Sequence, residues 1–151
     1  AEDGADNQMG SEFKFSHFLD SLDIERTGIE AAEQAVELLG AKAAPTLRCP
    51  AVLRNSVVAD LVEFLSDSFS AEQMDKGRSI LAGKQGDHLF SEQVTLINEG
   101  LFPGGLGTIP FDAEGFPSKK TLLVEHGFLL QGLYDGYYGR KMNQDPTGCA
   151  V

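Results

Sequence analysis

The alternation of apolar and polar positions starts early. In Ser11–Phe18, Phe13 and Phe15 fall on one side and Glu12 and Lys14 on the other, the period of a half-buried strand. The spacing then shifts to that of a helix, entered at Asp23, with Ile24, Ala31, Ala32, Ala35, Val36 and Leu39 on one side and Gly40 as the stop. The small residues Gly28, Ala31, Ala32 and Ala35 predict that this helix packs closely on a sheet. Leu47–Leu53 reads as an extended apolar segment, held to an edge or a strand start by Pro50. Ser56 is the expected cap of a second helix over Val57–Phe69, where Val58, Leu61, Val62, Leu65 and Phe69 recur at helical spacing and Asp60, Glu63 and Asp67 face water. SAEQ at Ser70–Gln73 has the form of a capping box for a short third helix ending by Gly77.

Strand signals dominate the second half. Val94–Asn98 reads as a strand, and TLLVEHGFLLQGLY contains two apolar runs joined at His126–Gly127, a hairpin signal because glycine readily supplies a turn residue of positive φ. Tyr137–Met142 is a short helix or the end of the sheet. Helices first and mostly antiparallel strands afterwards predict an α+β fold. Between the strands lies Leu101–Thr121, LFPGGLGTIPFDAEGFPSKKT. Its Gly104, Gly105, Gly107 and Gly115 allow turns or close approach, while Pro103, Pro110 and Pro117 fix φ. Because Phe102, Leu106, Ile109, Phe111 and Phe116 stand between them, the loop is expected to be ordered and pressed against a core, unlike a small, polar linker.

Composition narrows the function. The 151 residues carry 12 basic and 23 acidic side chains, a formal charge of −11 that repels phosphate backbones and anionic membrane surfaces. Nucleic acid and membrane are therefore not expected partners, and no apolar run approaches the roughly 18 residues of a spanning helix. Beginning at Ala1 with no initiator methionine, the sequence reads as an excised piece of a longer polypeptide, and its acidic first ten residues read as a flexible start. Cys49 and Cys149 form no CxxC pair; Cys49, in an apolar run, is expected to be a buried thiol, and a reducing cytoplasm is the expected compartment.

Candidate chemistry is sparse. His17, His88 and His126 share no ligand spacing, although His88, His126 and Glu125 remain an alternative metal set. No GxSxG elbow is present for a serine nucleophile. GGLG at Gly104–Gly107 lacks the preceding strand, following helix and lysine of a phosphate loop. Asp112 and Glu114, beside Lys119 and Lys120, have the residue types for acid/base work, but the expectation is a solvated ion-pair cluster.

The succession GRSILAGKQGDHLFSEQVTLIN, then PGGLG, F-D-x-E-G-x-P-S at Phe111–Ser118 and T-x-L-V-E-x-G at Thr121–Gly127, with DGADNQ at Asp3–Gln8 upstream, resembles the TldD/PmbA family over nearly the whole chain. Members are called modulators of DNA gyrase and are linked to peptide maturation. The resemblance implies residues 1–46 as the end of an N-terminal α/β portion and 47–151 as the start of a β-rich C-terminal domain, or both as one fragmentary domain. It also implies a two-subunit peptidase in which a TldD-like chain carries an HExxxH zinc motif. Here Glu63 and Ser68 stand at the two histidine positions and Phe64 at that of the glutamate. Phenylalanine cannot act as a base, and serine is a poor zinc ligand.

The implied protein is thus a cytoplasmic, PmbA/TldE-like, non-catalytic subunit of a zinc-peptidase complex, with no cofactor of its own and zinc only in the HExxxH partner. A peptide is the expected substrate, and unpaired sheet edges make self-association a further expectation. The alternatives are a stand-alone metallopeptidase with ligands elsewhere and a peptide-binding scaffold. In each case Pro103, Gly104, Gly105, Gly107, Phe111, Asp112, Glu114, Gly115 and Pro117 form a structural or interface loop.

Overall fold

A computed structural model describes residues 1–150. The chain divides into two units, Ala1–Ala51 and Val52–Val151. In the first unit, β1 (Glu2–Asp3) and β2 (Asp6–Asn7) pair antiparallel, with Glu2 opposite Asn7 and Asp3 opposite Asp6. The start expected to be flexible is therefore a small hairpin, closed by the Ala1 ammonium donating to the Gln8 carbonyl at 2.7 Å. Asp6 secures it further, accepting from Gln8 Nε2 at 2.8 Å and from the Gly40 N–H at 2.6 Å. These bonds hold the Asp6 carboxyl below its ordinary value, the Gly40 amide contributing most.

The predicted strand at Ser11–Phe18 does not form. The alternation is real, but no strand lies beside it to complete a ladder, and it is the polar side that meets α1 (Ile24–Glu37). Lys14 pairs with Glu30 at 3.0 Å, and Gln34 Nε2 donates to Glu12 at 2.9 Å. Phe13 and Phe15 are left exposed, touching each other with ring centroids 5.5 Å apart. Helix α1 begins as expected: Asp23 caps it by accepting from the Arg26 N–H at 2.8 Å. Its small face does not meet a sheet. The backbone at Gly10 lies there instead, so close that a β-carbon on Gly10 would fall 2.6 Å from the Ala35 nitrogen.

Residues 41–54 form no element and are exposed throughout. The strand expected over Leu47–Leu53 is thus absent, and Cys49, expected to be buried, is exposed. Pro45 and Pro50 each lack the N–H that a ladder requires.

The second unit opens with α2 (Asn55–Ser66), a single 3₁₀ turn (Asp67–Phe69) and α3 (Ala71–Asp75). Ser56 lies inside α2, and the cap position falls at Arg54, whose side chain does not cap the helix. Nor does Ser70 close the expected capping box. Its backbone bridges Leu133 instead, with Leu133 N–H donating to Phe69 O at 2.7 Å and Ala71 N–H to Leu133 O at 2.9 Å. A three-stranded antiparallel sheet follows in the order β3 (Leu96–Glu99), β4 (Lys120–Glu125), β5 (Phe128–Leu129). Glu99 faces Lys120 and Asn98 faces Thr121, and a bulge falls between Leu96 and Ile97.

The β4–β5 turn is His126–Gly127, as expected, with φ of 46° and 84°. Both residues are left-handed, the requirement of a tight two-residue hairpin. Helix α4 (Gly136–Met142) closes the unit, capped by Asp135 accepting from the Tyr138 N–H at 2.6 Å. The core joins helices to sheet: Phe69 and Leu81 pack with Leu123, Val124 and Leu129, and Leu65, Met74, Phe90, Val94, Leu96 and Leu133 surround them. Ala71, Tyr134 and Tyr138 form a second cluster under α3 and α4. The fold is α+β, with the helices of the first half leading into antiparallel strands.

Candidate functional site

The glycine- and proline-rich loop folds as two tight pieces. In the first, Gly105 N–H donates to Phe102 O at 2.9 Å, Thr108 Oγ1 donates to the same oxygen at 2.5 Å, and Ile109 N–H reaches back to Gly100 O at 3.0 Å. Pro103, Gly104, Gly105 and Gly107 belong to this piece. In the second, Phe111 bridges Pro117 across a turn whose Gly115 N–H donates to Asp112 O at 3.0 Å. Order is present, as expected, but the apolar side chains do not press on a core. Phe102, Leu106, Ile109 and Phe111 are all exposed, and the buried members of the loop are polar: Asp112, a carboxylate only 3% accessible, with Ser118 and Thr121.

That burial has a local explanation. Asp112 Oδ1 accepts from the N–H groups of Glu114 at 3.0 Å and Phe116 at 2.9 Å, and Oδ2 accepts from the Ala150 N–H at 3.0 Å. Burial pushes this carboxyl up, but the amides of Ala150, Phe116, Glu114 and Gly115 together pull harder and leave it below its ordinary value. Backbone dipoles thus replace a counter-ion. Glu114 makes a single such bond from an exposed position, Oε2 accepting the Gly136 N–H at 2.6 Å at the start of α4, where the helix dipole favours a negative charge. The expected solvated cluster with Lys119 and Lys120 is not what forms, and Lys120 pairs across the ladder with Glu99 at 3.5 Å. A carboxylate saturated by amide donors is a fastener rather than an acid or base.

The pinned segment was not visible to sequence reasoning. Thr147 N–H donates to Tyr134 O at 2.8 Å, and Thr147 Oγ1 accepts from the Tyr134 N–H at 2.8 Å. Gly148, at φ 67°, lies with its backbone directly on the Pro117 carbonyl, where no β-carbon fits. The PTG triplet is the one trace of this in the sequence, and it reads as an ordinary turn. Cys149 follows, its sulfur 2.9 Å from Thr147 Oγ1 and its thiol pushed up mainly by burial. An open cleft of about 380 Å³ lies beside it, lined by Asp67, Ser70, Glu72, Leu133, Asp135 and Tyr138 among others.

The positions aligned with the zinc motif are placed without convergence. Glu63 and Phe64 sit on exposed faces of α2, Phe64 being 88% accessible, and Ser68 lies beyond the helix in the 3₁₀ turn, its carbonyl accepting from Ser79 Oγ at 2.5 Å. His88 packs on the Phe128 ring with centroids 4.8 Å apart, and His126 forms the hairpin turn. Among the described residues no three His, Cys, Asp or Glu side chains are grouped as a metal would require, so His88, His126 and Glu125 do not converge. Among the same residues no helix is long and apolar enough to cross a membrane.

The fold has counterparts among known proteins. A family model described as the PmbA/TldA metallopeptidase C-terminal domain matches residues 46–151. The chain belongs to the PmbA/TldD family. It is 33% identical to a protein of Methanothermobacter thermautotrophicus called a metalloprotease, over 93% of this chain and 33% of that one. A Thermotoga maritima crystal structure described as a modulator of a DNA gyrase superposes with a TM-score of 0.91 at 33% identity, over 95% of this chain and 34% of the other. The crystal structure of TldE from Thermococcus kodakarensis matches 56% of this chain and 19% of its own, with a TM-score of 0.51 and 33% identity. The chain therefore spans about a third of the length of the relatives it matches.

Proposed function

We propose that this chain belongs to a non-catalytic, PmbA/TldE-like subunit of a cytoplasmic zinc-peptidase complex that acts in peptide maturation and proteolysis. The observation that carries the reading is the residue set on and after α2. Glu63, Phe64 and Ser68 stand where the family resemblance puts HExxxH, and Phe64 has no atom able to take a proton from a metal-bound water. Similarity to a solved TldE supports it as well. On this reading zinc resides in a TldD-like partner and this chain completes the chamber for an extended peptide. Residues 1–46 end an N-terminal α/β portion and 47–151 open the C-terminal domain. The outward Phe102, Leu106, Ile109 and Phe111, carried on a loop fixed by Asp112 and Glu114, provide an apolar surface on a rigid base, as subunit packing requires.

The test is zinc content and peptidase activity of the full-length protein, alone and mixed with its HExxxH-bearing relative. Zinc and activity confined to the mixture are expected; stoichiometric zinc and activity in the protein alone would overturn the proposal. That second outcome is the one favoured by the name metalloprotease carried by the Methanothermobacter relative, since two thirds of its length has no counterpart here to supply or exclude ligands.

A further inference from the structure

We draw no further inference here: the strongest candidate, the exposed apolar stripe of α2 formed by Val57, Val58, Leu61, Val62 and Phe64, is an unpartnered helix face, and nothing in the structure shows what covers it.

Discussion

Asp112 and Ala150 fasten two distant segments together, with one hydrogen bond running in each direction between the segments. The Asp112 carboxylate accepts the Ala150 N–H at 3.0 Å while the neighbouring Ala113 N–H donates to the Ala150 carbonyl at 3.1 Å, across 38 residues of sequence. The other carboxylate oxygen shapes the Phe111–Pro117 turn, so one side chain closes a local loop and anchors a distant segment.

Removing that side chain should loosen both. Asp112→Ala strands three backbone donors, two in the loop and one at Ala150, in a partly buried site. The expected outcome is a thermal midpoint lowered by several degrees, with Asp112→Asn intermediate because its amide keeps one acceptor oxygen and adds donors with nothing to meet. An Asp112→Ala midpoint equal to that of the parent in a circular-dichroism melt would contradict this role.

The same bonds set an acid dependence. A carboxyl held lower in the folded chain than its ordinary 3.8 contributes stability that is fully present above that value. The contribution disappears as pH falls from 3.8 through the lower folded value, because protonation cancels the charge that the amides hold. Urea titrations from pH 7 to pH 3 should therefore show the gap between parent and Asp112→Asn narrowing at the acid end. A gap that stays constant would mean that the carboxylate charge is not what the amides stabilise.

Much of the second unit was legible because its signals are local. Glycine after His126 announced the hairpin, and the apolar runs on either side placed β4 and β5. In the first unit, Asp23 likewise announced the start of α1, by capping chemistry that needs only three residues. What failed was non-local. Phe13 and Phe15 alternate correctly with Glu12 and Lys14, yet a strand exists only beside another strand, and Leu47–Leu53 failed for the same reason. The burial of Asp112 depends on Ala150, which no nearby pattern names, so a charged loop residue read as solvated.

The hairpin offers a paired test at two adjacent residues. A β-carbon on Gly127 would lie 2.6 Å from His88 Nε2, and its φ of 84° is itself adverse to any other residue. Gly127→Ala should cost more than the ~1 kcal/mol of left-handed strain alone. His126 already pays that strain at φ 46°, with a side chain outside the core. His126→Asn should be neutral or stabilising by up to about 1 kcal/mol, since asparagine tolerates this conformation better. Chemical denaturation of the two variants checks both signs, and equal destabilisation would show that the turn geometry is not the controlling feature.

Phe64 and Phe69, five positions apart in sequence, should respond to truncation in opposite ways. Phe69 is 3% exposed and packs with Leu81, Leu123, Val124 and Leu129, so Phe69→Ala should cost about 3–5 kcal/mol in this chain. Phe64 is 88% exposed, and Phe64→Ala should change folding stability by no more than about 0.5 kcal/mol. The position also separates packing from chemistry: on the proposed alignment with HExxxH, Phe64→Glu supplies the missing carboxylate, but Glu63 and Ser68 still offer no imidazole. That variant should bind no more zinc than the parent in equilibrium dialysis, and a stoichiometric gain would mean that ligands for the metal already surround α2.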